Sequence, residues 1–183
     1  MPDPLPFELP RGPLGPADLS RIAAAVAGRP DLWRDGLDRD RRRRTYSEVH
    51  TPEHLGVWAI SCMADDHDTG FHDHDASRGA VHVAEGVIRH EHLRMGDRPV
   101  GSAVPAGEGF SFDETAIHRM RAEPGAGPTV TIHAYSPPLV RTGQYGRHDD
   151  DRLHRTPSPA TDQLAPHGGQ GTPAEAVPPE PRA

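Results

Sequence analysis

The chain has 183 residues, 34% of them hydrophobic, and a formal net charge of -7. This length suits one domain with a small core, and the negative charge argues against the nucleic-acid backbone as a partner. The lone cysteine, Cys62, excludes an internal disulfide. The N-terminal residues lack the basic and apolar regions of a signal peptide, and no apolar run approaches the roughly 20 residues that span a bilayer. We therefore expect a soluble, cytoplasmic protein, and a monomer, with neither nucleic acid nor a membrane as partner.

The first part of the chain is predicted to be helical. Residues 17–28 fit one amphipathic helix, with a proline at its first turn and a glycine at its end. Its apolar side chains recur at helical spacing and should be buried: Leu19, Ile22, Ala23 and Val26. A shorter helix is expected over 30–37. The basic run 41–44 favours a solvated linker, with an anion-binding role near a pocket as the alternative. Residues 1–45 would thus form a helical segment that packs on the following domain.

From Gly56 the sequence changes to short β-rich runs separated by glycine, aspartate and proline. Five such runs are predicted as strands: 57–62, 79–84, 87–93, 110–112 and 130–135. Short strands at this spacing are typical of a sandwich or barrel. From Thr156 onward proline and glycine are so frequent that burial cannot offset the entropy of ordering the segment. We expect residues 46–150 to form a β-barrel and residues 151–183 to be a disordered tail.

The segment from His72 to His74 presents two imidazoles on one face of an extended strand, because alternate side chains of a strand point the same way. Such a pair can bind one metal ion. Two surface histidines on an aspartate-rich loop are the structural alternative. His90 and His92 repeat the His-x-His spacing, but they lie in the strand after the motif turn and have no partner motif. Position within the longer pattern therefore favours the first pair as the metal site.

A third imidazole could come from either of two downstream histidines. His118 could complete a three-histidine site, and His133 is the alternative ligand. We prefer His118 because His133 shares a strand face with Thr131 and Tyr135, where its imidazole can hydrogen-bond the phenol. An ordinary polar strand surface is the structural alternative for that face.

The residues around these histidines match a known family. Gly79 and Gly86 follow the His-x-His pair at the spacing of the first cupin motif, with Gly79 where most cupins carry a glutamate ligand. A Thr-x-His-x-Tyr alternation then precedes Ser136-Pro137. From about residue 46 to 138 the chain thus resembles the cysteine dioxygenase family of thiol dioxygenases. The resemblance implies an all-β cupin barrel, here with short N-terminal helices and a disordered C-terminal tail.

The same resemblance implies a ligand set and roles for the polar strand face. The residues that match the Fe(II) ligands of the family are His72, His74 and His118. Tyr135 matches the tyrosine that orients dioxygen or substrate and acts in proton transfer, with His133 and Thr131 behind it. The bond between Ser136 and Pro137 matches a position where the family looks set to have a cis proline.

The chemistry of a thiol substrate explains why imidazoles suit this site. A thiol binds as the thiolate, which a divalent cation generates by deprotonating it. Three neutral imidazoles leave the metal charge available, whereas a carboxylate ligand would partly neutralise it and occupy a position. We therefore expect an Fe(II)-dependent enzyme that converts a small thiol, cysteine or a related one, and O2 to the sulfinic acid. The alternatives are a dioxygenase for 3-mercaptopropionate or another non-cysteine thiol, and a cupin that binds a metal or ligand without turnover.

The chain departs from the family where the substrate carboxylate would bind. The family carries a Tyr-x-Arg element ahead of the first core strand, and the matching stretch here ends in Glu48, which would repel a carboxylate. Three arginines could replace the missing one: Arg43, Arg44 and Arg78. The family cysteine that crosslinks to the tyrosine matches Gly79, so no thioether is expected. Cys62, on an apolar strand, is predicted to be a small core residue.

Overall fold

A computed structural model gives the structure of the chain for residues 5, 8–10, 12–93, 99–147 and 153–164. Its helical elements are α1 (Pro16–Ala27), a 3-10 turn (Pro30–Leu32) and α2 (Ala160–Leu164). The first six strands are β1 (Thr45–His50), β2 (Gly56–Cys62), β3 (Phe71–Asp73), β4 (Arg78–Glu85), β5 (Val87–His92) and β6 (Val100–Pro105). The later strands are β7 (Gly109–Phe112), β8 (His118–Ala122), β9 (Thr129–Ser136), β10 (Arg141–Arg147) and β11 (Leu153–Pro159).

The strands form two antiparallel sheets that enclose a common interior. The first sheet has the strand order β1-β2-β9-β4-β7 and the second β11-β10-β3-β8-β5-β6. Apolar side chains of both sheets meet in one buried cluster, which joins Ile60 and Val83 of the first sheet to Ile88 and Met120 of the second. We call this cluster the barrel interior. The predicted all-β, two-sheet barrel is therefore confirmed.

The N-terminal helix covers the outer face of the first sheet. Its predicted apolar stripe is confirmed as buried: Leu19, Ile22, Ala23 and Val26. The helix packs mainly on β4 and β9, and Trp33 donates its indole N–H to the carbonyl of Val26 over 3.2 Å. The helix expected over 30–37 shortens to the 3-10 turn. Over the ranges given above, no helix combines the length and the apolar character needed to cross a bilayer.

β9 is buried along its whole length because both of its faces are covered. Side chains on one face pack beneath α1: Val130, Ile132 and Ala134. The alternate side chains point to the barrel interior and line its pocket: Thr131, His133 and Tyr135. Because both faces are buried, β9 carries no charged side chain that points into solvent. The backbone below its polar face is fixed by packing on both sides.

Residues 153–164 correct the prediction of a disordered tail beginning at residue 151. β11 pairs with β10 in an unbroken register, and α2 buries Ala160 and Leu164 in the barrel interior. Composition misled the prediction because β11 is an exposed edge strand, where Pro157 and Pro159 are tolerated since an edge N–H need not pair. Residues 151–152 and 165–183 of the predicted tail lie outside the described residues. The boundaries at residues 45 and 150 stay predictions.

Candidate metal centre

Two neighbouring strands of the second sheet bring the three histidines together. His72 lies on β3 and pairs directly with His118, the first residue of β8, while His74 follows the end of β3. One ring nitrogen from each histidine lies within 4.8 Å of the others. All three side chains are at most 1% exposed. The structure therefore gathers the three residues that the sequence singled out, inside the barrel and away from bulk water.

The spacing of the nitrogens fits a single ion. The Nε2 atoms of His74 and His118 are 3.2 Å apart, and two nitrogens each about 2.1 Å from one metal ion would be separated by roughly 3 to 3.4 Å at usual angles. Burial lowers the pKa of His72 to about 4 and holds the pKa values of His74 and His118 well below the usual range. The three rings are thus neutral at pH 7, the state in which an imidazole binds a metal.

Two of the three rings make a polar contact through Nδ1, the ring nitrogen that faces away from the shared centre. The Nδ1 atom of His72 lies 3.0 Å from the carbonyl oxygen of Gly70, and Nδ1 of His118 lies 2.9 Å from Nε2 of His90. Each contact leaves the Nε2 atom facing the shared centre. For His74, the described residues offer Nδ1 no hydrogen-bond partner, and the ring stacks on Phe112 at 4.4 Å between centroids. The arrangement suits a divalent metal ion.

Asp73, between His72 and His74, points the other way and fixes the end of β3. Its carboxylate accepts hydrogen bonds from both Nε and Nη2 of Arg155, at 2.5 and 2.9 Å. It also accepts the hydroxyl of Tyr145 at 2.8 Å and the backbone N–H of Gly143 at 3.0 Å. Burial alone would raise the pKa of Asp73, but the hydrogen bonds from Arg155, the Asp75 backbone and Tyr145 hold it well below the usual range.

Gly79 leaves no room for a fourth protein ligand. A Cβ at this position would lie 2.4 Å from the Phe112 ring and 2.9 Å from Cδ1 of Tyr135. β4 thus passes the site closely enough that only glycine fits between the two rings. The position that carries a glutamate ligand in most cupins therefore cannot supply one here without moving both aromatic side chains.

A chain of hydrogen bonds runs along the inner face of β9. The hydroxyl of Thr131 lies 2.9 Å from Nε2 of His133, and Nδ1 of His133 lies 3.1 Å from the phenol oxygen of Tyr135. Burial lowers the pKa of His133 to about 3 and raises the pKa of Tyr135 above its usual range. A neutral imidazole between a hydroxyl and a phenol donates with one nitrogen and accepts with the other, so it can relay a proton between them.

The hydrogen-bonded side chains of β9 face the three-histidine cluster across one pocket. Five residues that line this pocket are Thr131, His133, Tyr135, His72 and Arg44. The rings of Tyr135 and His74 have centroids 5.4 Å apart. A small molecule in this pocket would therefore lie between His72 and the phenol of Tyr135.

Arg44 is the pocket residue that the sequence left undecided. Its side chain is 4% exposed, and it lines the same pocket as His133 and Tyr135. Within the described ranges no carboxylate comes within salt-bridge distance of it. Burial lowers the pKa of Arg44, and the negative charge of Asp68 partly opposes that shift. A buried cation without a paired anion is costly, so the pocket favours an anionic ligand.

The other residues considered for substrate binding lie outside the pocket. Arg43 is exposed and pairs with Asp40 at 3.7 Å. Arg78 forms a surface ion pair with Glu114 at 2.7 Å, and Glu48 is exposed within β1. Glu48 therefore does not repel a ligand in the pocket, and of the three arginines considered only Arg44 lines it.

The sequence did not predict that Cys62 lines the pocket or that His90 contacts His118. Cys62 lines the pocket wall, and burial raises the pKa of its thiol to about 11, so it stays a neutral thiol. His90 contacts the rear nitrogen of His118 and is not in the ligand cluster. The inward alternation of β5 was the signal that could have placed His90 beside the site. The peptide bond between Ser136 and Pro137 is cis, as predicted.

The chain is similar to several known proteins. The profile of cysteine dioxygenase type I matches residues 16–148. No curated protein matches the chain. Among solved structures it is similar to TT1209 from Thermus thermophilus, at 14% identity and TM-score 0.49, covering 57% of this chain and 92% of that one. It is also similar to an uncharacterized conserved protein with a double-stranded beta-helix domain from Klebsiella pneumoniae, at 10% identity and TM-score 0.49, covering 67% and 92%. BH2720 from Bacillus halodurans shares 22% identity at TM-score 0.46, covering 64% and 81%.

Proposed function

Because the chain belongs to the cysteine dioxygenase type I family, we propose that it is an Fe(II)-dependent thiol dioxygenase. In this proposal it converts a small thiol and O2 to the sulfinic acid, as a monomeric enzyme of the cytoplasm. One observation carries the proposal: three buried imidazoles cluster together, and one of them, His72, lines the same pocket as the hydrogen-bonded Tyr135. A site that only stored a metal would have no use for the phenol.

The three buried histidines are the proposed metal ligands, each through its Nε2 atom: His72, His74 and His118. When bound, Fe(II) would deprotonate a coordinating thiol and offer open positions for dioxygen. With glycine at position 79, the protein contributes no anionic ligand, so the full charge of the ion is available to the substrate. This ligand set suits a substrate that brings its own negative charge to the centre.

Tyr135 is the proposed catalytic acid and orienting group. Its raised pKa keeps the phenol protonated at pH 7. When Thr131 donates to His133, the imidazole donates from Nδ1 to the phenol oxygen, and the phenolic hydrogen is free to point at the substrate. The reverse polarity returns a proton from the phenol to the imidazole. His133 and Thr131 would thus set the direction in which Tyr135 donates, without touching the substrate.

Arg44 would bind the negatively charged end of the substrate. A guanidinium can hold a carboxylate through two charge-assisted hydrogen bonds, and Arg44 has no other carboxylate partner among the described residues. The desolvation of this buried cation is offset only when an anion enters the pocket. The preferred substrates in this proposal are therefore small thiols that carry a carboxylate, such as cysteine or 3-mercaptopropionate, over thiols such as cysteamine that carry none.

A panel of thiols tests the reaction and the role of Arg44 together. Oxygen uptake and sulfinate formation are measured with cysteine, 3-mercaptopropionate and cysteamine on the iron-loaded protein and on Arg44→Met. We expect one sulfinate for each O2 consumed with at least one carboxylated thiol. In Arg44→Met, kcat/KM for that thiol should fall by about 10- to 100-fold, the equivalent of one charge-assisted hydrogen bond. Cysteamine turnover should change little.

Arg43→Met is the matched control, because Arg43 is the adjacent arginine and is exposed. If iron is bound but none of the thiols supports oxygen uptake, the proposed reaction is contradicted. A loss in Arg44→Met that is equal for carboxylated thiols and cysteamine would contradict only the role of Arg44.

A further inference from the structure

The residue behind His118 is unusual in being another histidine. We infer that His90 is a positioning residue for the metal centre: it accepts the Nδ1 hydrogen of His118 and thereby holds Nε2 of His118 toward the metal. The inference rests on the proposed metal site, but not on the identity of the thiol or on the chemistry of oxygen. It gives a role to the second His-x-His pair, which the sequence alone did not place at the site.

The positions of the protons follow from the geometry. Nε2 of His118 faces Nε2 of His74, at 3.2 Å, on the side where a shared ion would bind. A ligating nitrogen must be unprotonated, so the ring hydrogen of neutral His118 lies on Nδ1. Nδ1 is 2.9 Å from Nε2 of His90. His90 therefore accepts at Nε2 and carries its own hydrogen on Nδ1.

The surroundings of His90 hold its ring in place. The side chain is 4% exposed and stacks on Phe110, with centroids 3.5 Å apart and planes 9° from parallel. The ring of His92 contacts it edge-on at 4.1 Å. On the backbone, β5 is paired with β8 so that His92 lies opposite His118. A ring confined in this way cannot swing out of the hydrogen bond without opening the sheet.

The acceptor is also neutral, which matters for the charge of the site. The ring hydrogen of His118 is received by an imidazole rather than by a carboxylate. A carboxylate in that position would add negative charge near the metal and compete with the charge of a thiolate substrate. His90 thus orients its ligand and leaves the positive charge of the ion to the substrate.

Two substitutions at position 90 separate hydrogen bonding from packing. Glutamine can place an oxygen acceptor near the position of Nε2, whereas leucine fills similar space without an acceptor. We expect His90→Leu to weaken Fe(II) binding by about 10- to 100-fold, measured by competition with a chelator under anaerobic conditions. His90→Gln should bind Fe(II) within about threefold of the natural protein, on the same scale. His82→Leu, on the outer face of β4, is the control and should not change the affinity.

A second measurement uses the unaltered sequence and does not depend on how the variants fold. In the zinc-loaded, diamagnetic protein, nitrogen-15 NMR reports which nitrogen of each histidine carries a hydrogen. We expect hydrogen on Nδ1 of His118 and on Nδ1 of His90. Hydrogen on Nε2 of His90, or unchanged Fe(II) affinity in a folded His90→Leu, would overturn the inference while leaving the three-histidine site intact. Failure of the natural protein to bind either metal would overturn the site itself.

Discussion

Tyr135 is the residue on which the proposed chemistry depends, because it is the proposed proton donor and lines the pocket together with His72. Its phenol is held by His133 at 3.1 Å, and burial raises its pKa so that the hydroxyl stays protonated. The ring itself packs in the barrel interior with Trp58 at 5.6 Å between centroids. Its position therefore comes from apolar packing, and its function from one oxygen atom.

Removing that oxygen atom should stop turnover without stopping binding. In Tyr135→Phe we expect kcat for oxygen consumption to fall by about 100-fold or more, the usual contribution of a positioned acid. The affinity for iron and for the thiol should stay near that of the natural protein, because the ring still packs. Tyr145→Phe is a matched control, since it removes a phenol that bonds Asp73 outside the pocket. Equal oxygen uptake in the Tyr135 and Tyr145 variants would contradict the assignment.

The buried histidines also make the metal-free protein sensitive to acid. The folded pKa values of His72 and His133 are about 4 and about 3, below the unfolded value of about 6.5. Between these values the unfolded chain binds more protons than the folded one, so stability is present above pH 6.5 and is lost as the pH falls. We expect the free energy of unfolding to fall between pH 6.5 and 5 by on the order of 1 kcal/mol per pH unit for each such group.

Urea unfolding of the metal-free protein at pH 7, 6 and 5 measures this slope. His133→Gln removes one of the depressed groups and should therefore show a shallower dependence on pH. The window lies above the range in which carboxylates such as Asp73 begin to lose their charge, so the two effects are separable. A stability that is flat from pH 7 to 5 would show that the histidines are not buried as neutral rings.

At the scale of elements, the sequence predicted the strands around the site unequally well. β9 was predicted almost to its ends because both of its faces are apolar or functional and its alternation is unbroken. β10 and β11 were not, because their residues are mostly polar and their stability comes from pairing with each other and from the ion pair of Arg155 with Asp73. The ion pair joins residues 82 positions apart in the chain, and no local pattern reports it.

The ion pair of Arg155 with Asp73 joins β11 to β3, and Gly143 on β10 leaves room for it. A Cβ at Gly143 would lie 2.2 Å from Nε of Arg155 and 2.6 Å from Oδ2 of Asp73. The pair therefore crosses directly over the backbone of β10. The C-terminal edge strand is in this way tied to β3, which carries His72 and is followed directly by His74.

Cutting this connection should destabilise the fold more than cutting a surface pair nearby. In Arg155→Leu the largely buried Asp73 loses its main charged partner, and we expect a loss of about 1 to 3 kcal/mol in the free energy of unfolding. Arg141→Leu is the matched control, because Arg141 pairs with Asp75 on the surface at 3.1 Å, and it should cost at most about 1 kcal/mol. Urea denaturation measures both, and equal effects would contradict the view that β11 is fastened through Asp73.

At the scale of the whole molecule, the sequence predicted the barrel and the three histidines that the structure brings together, since both depend on short motifs with fixed spacing. The His-x-His pair starts on β3 and ends just after it, Gly79 lies on β4, and the alternation ending at Tyr135 lies within β9. Arg44 and His90 could be placed beside the site only from coordinates, because the pocket that Arg44 lines and the ring that His90 contacts are formed by distant parts of the chain. Arg44 sits at the end of an otherwise exposed basic run, where nothing local distinguishes it from Arg43.

The barrel explains how one fold separates binding from support. α1 packs on the outer face of the first sheet and forms an apolar core there. The inner face can therefore carry polar side chains that are still shielded from water by the second sheet. The second sheet supplies the histidines, and the first supplies Thr131, His133, Tyr135 and the nearby Arg44. The two sheets thus meet with the three-histidine cluster on one side and the hydrogen-bonded side chains of Thr131, His133 and Tyr135 on the other.

The measurement that tests this most directly is the metal content of single histidine variants. The protein is loaded with Fe(II) without oxygen, desalted and analysed by mass spectrometry for iron per chain. We predict one iron per chain in the natural protein and in the control His82→Ala, and less than about a tenth of that in variants that lack one of three direct ligands: His72→Ala, His74→Ala and His118→Ala. A full equivalent of iron retained in any of those three variants would contradict a site built from all three imidazoles.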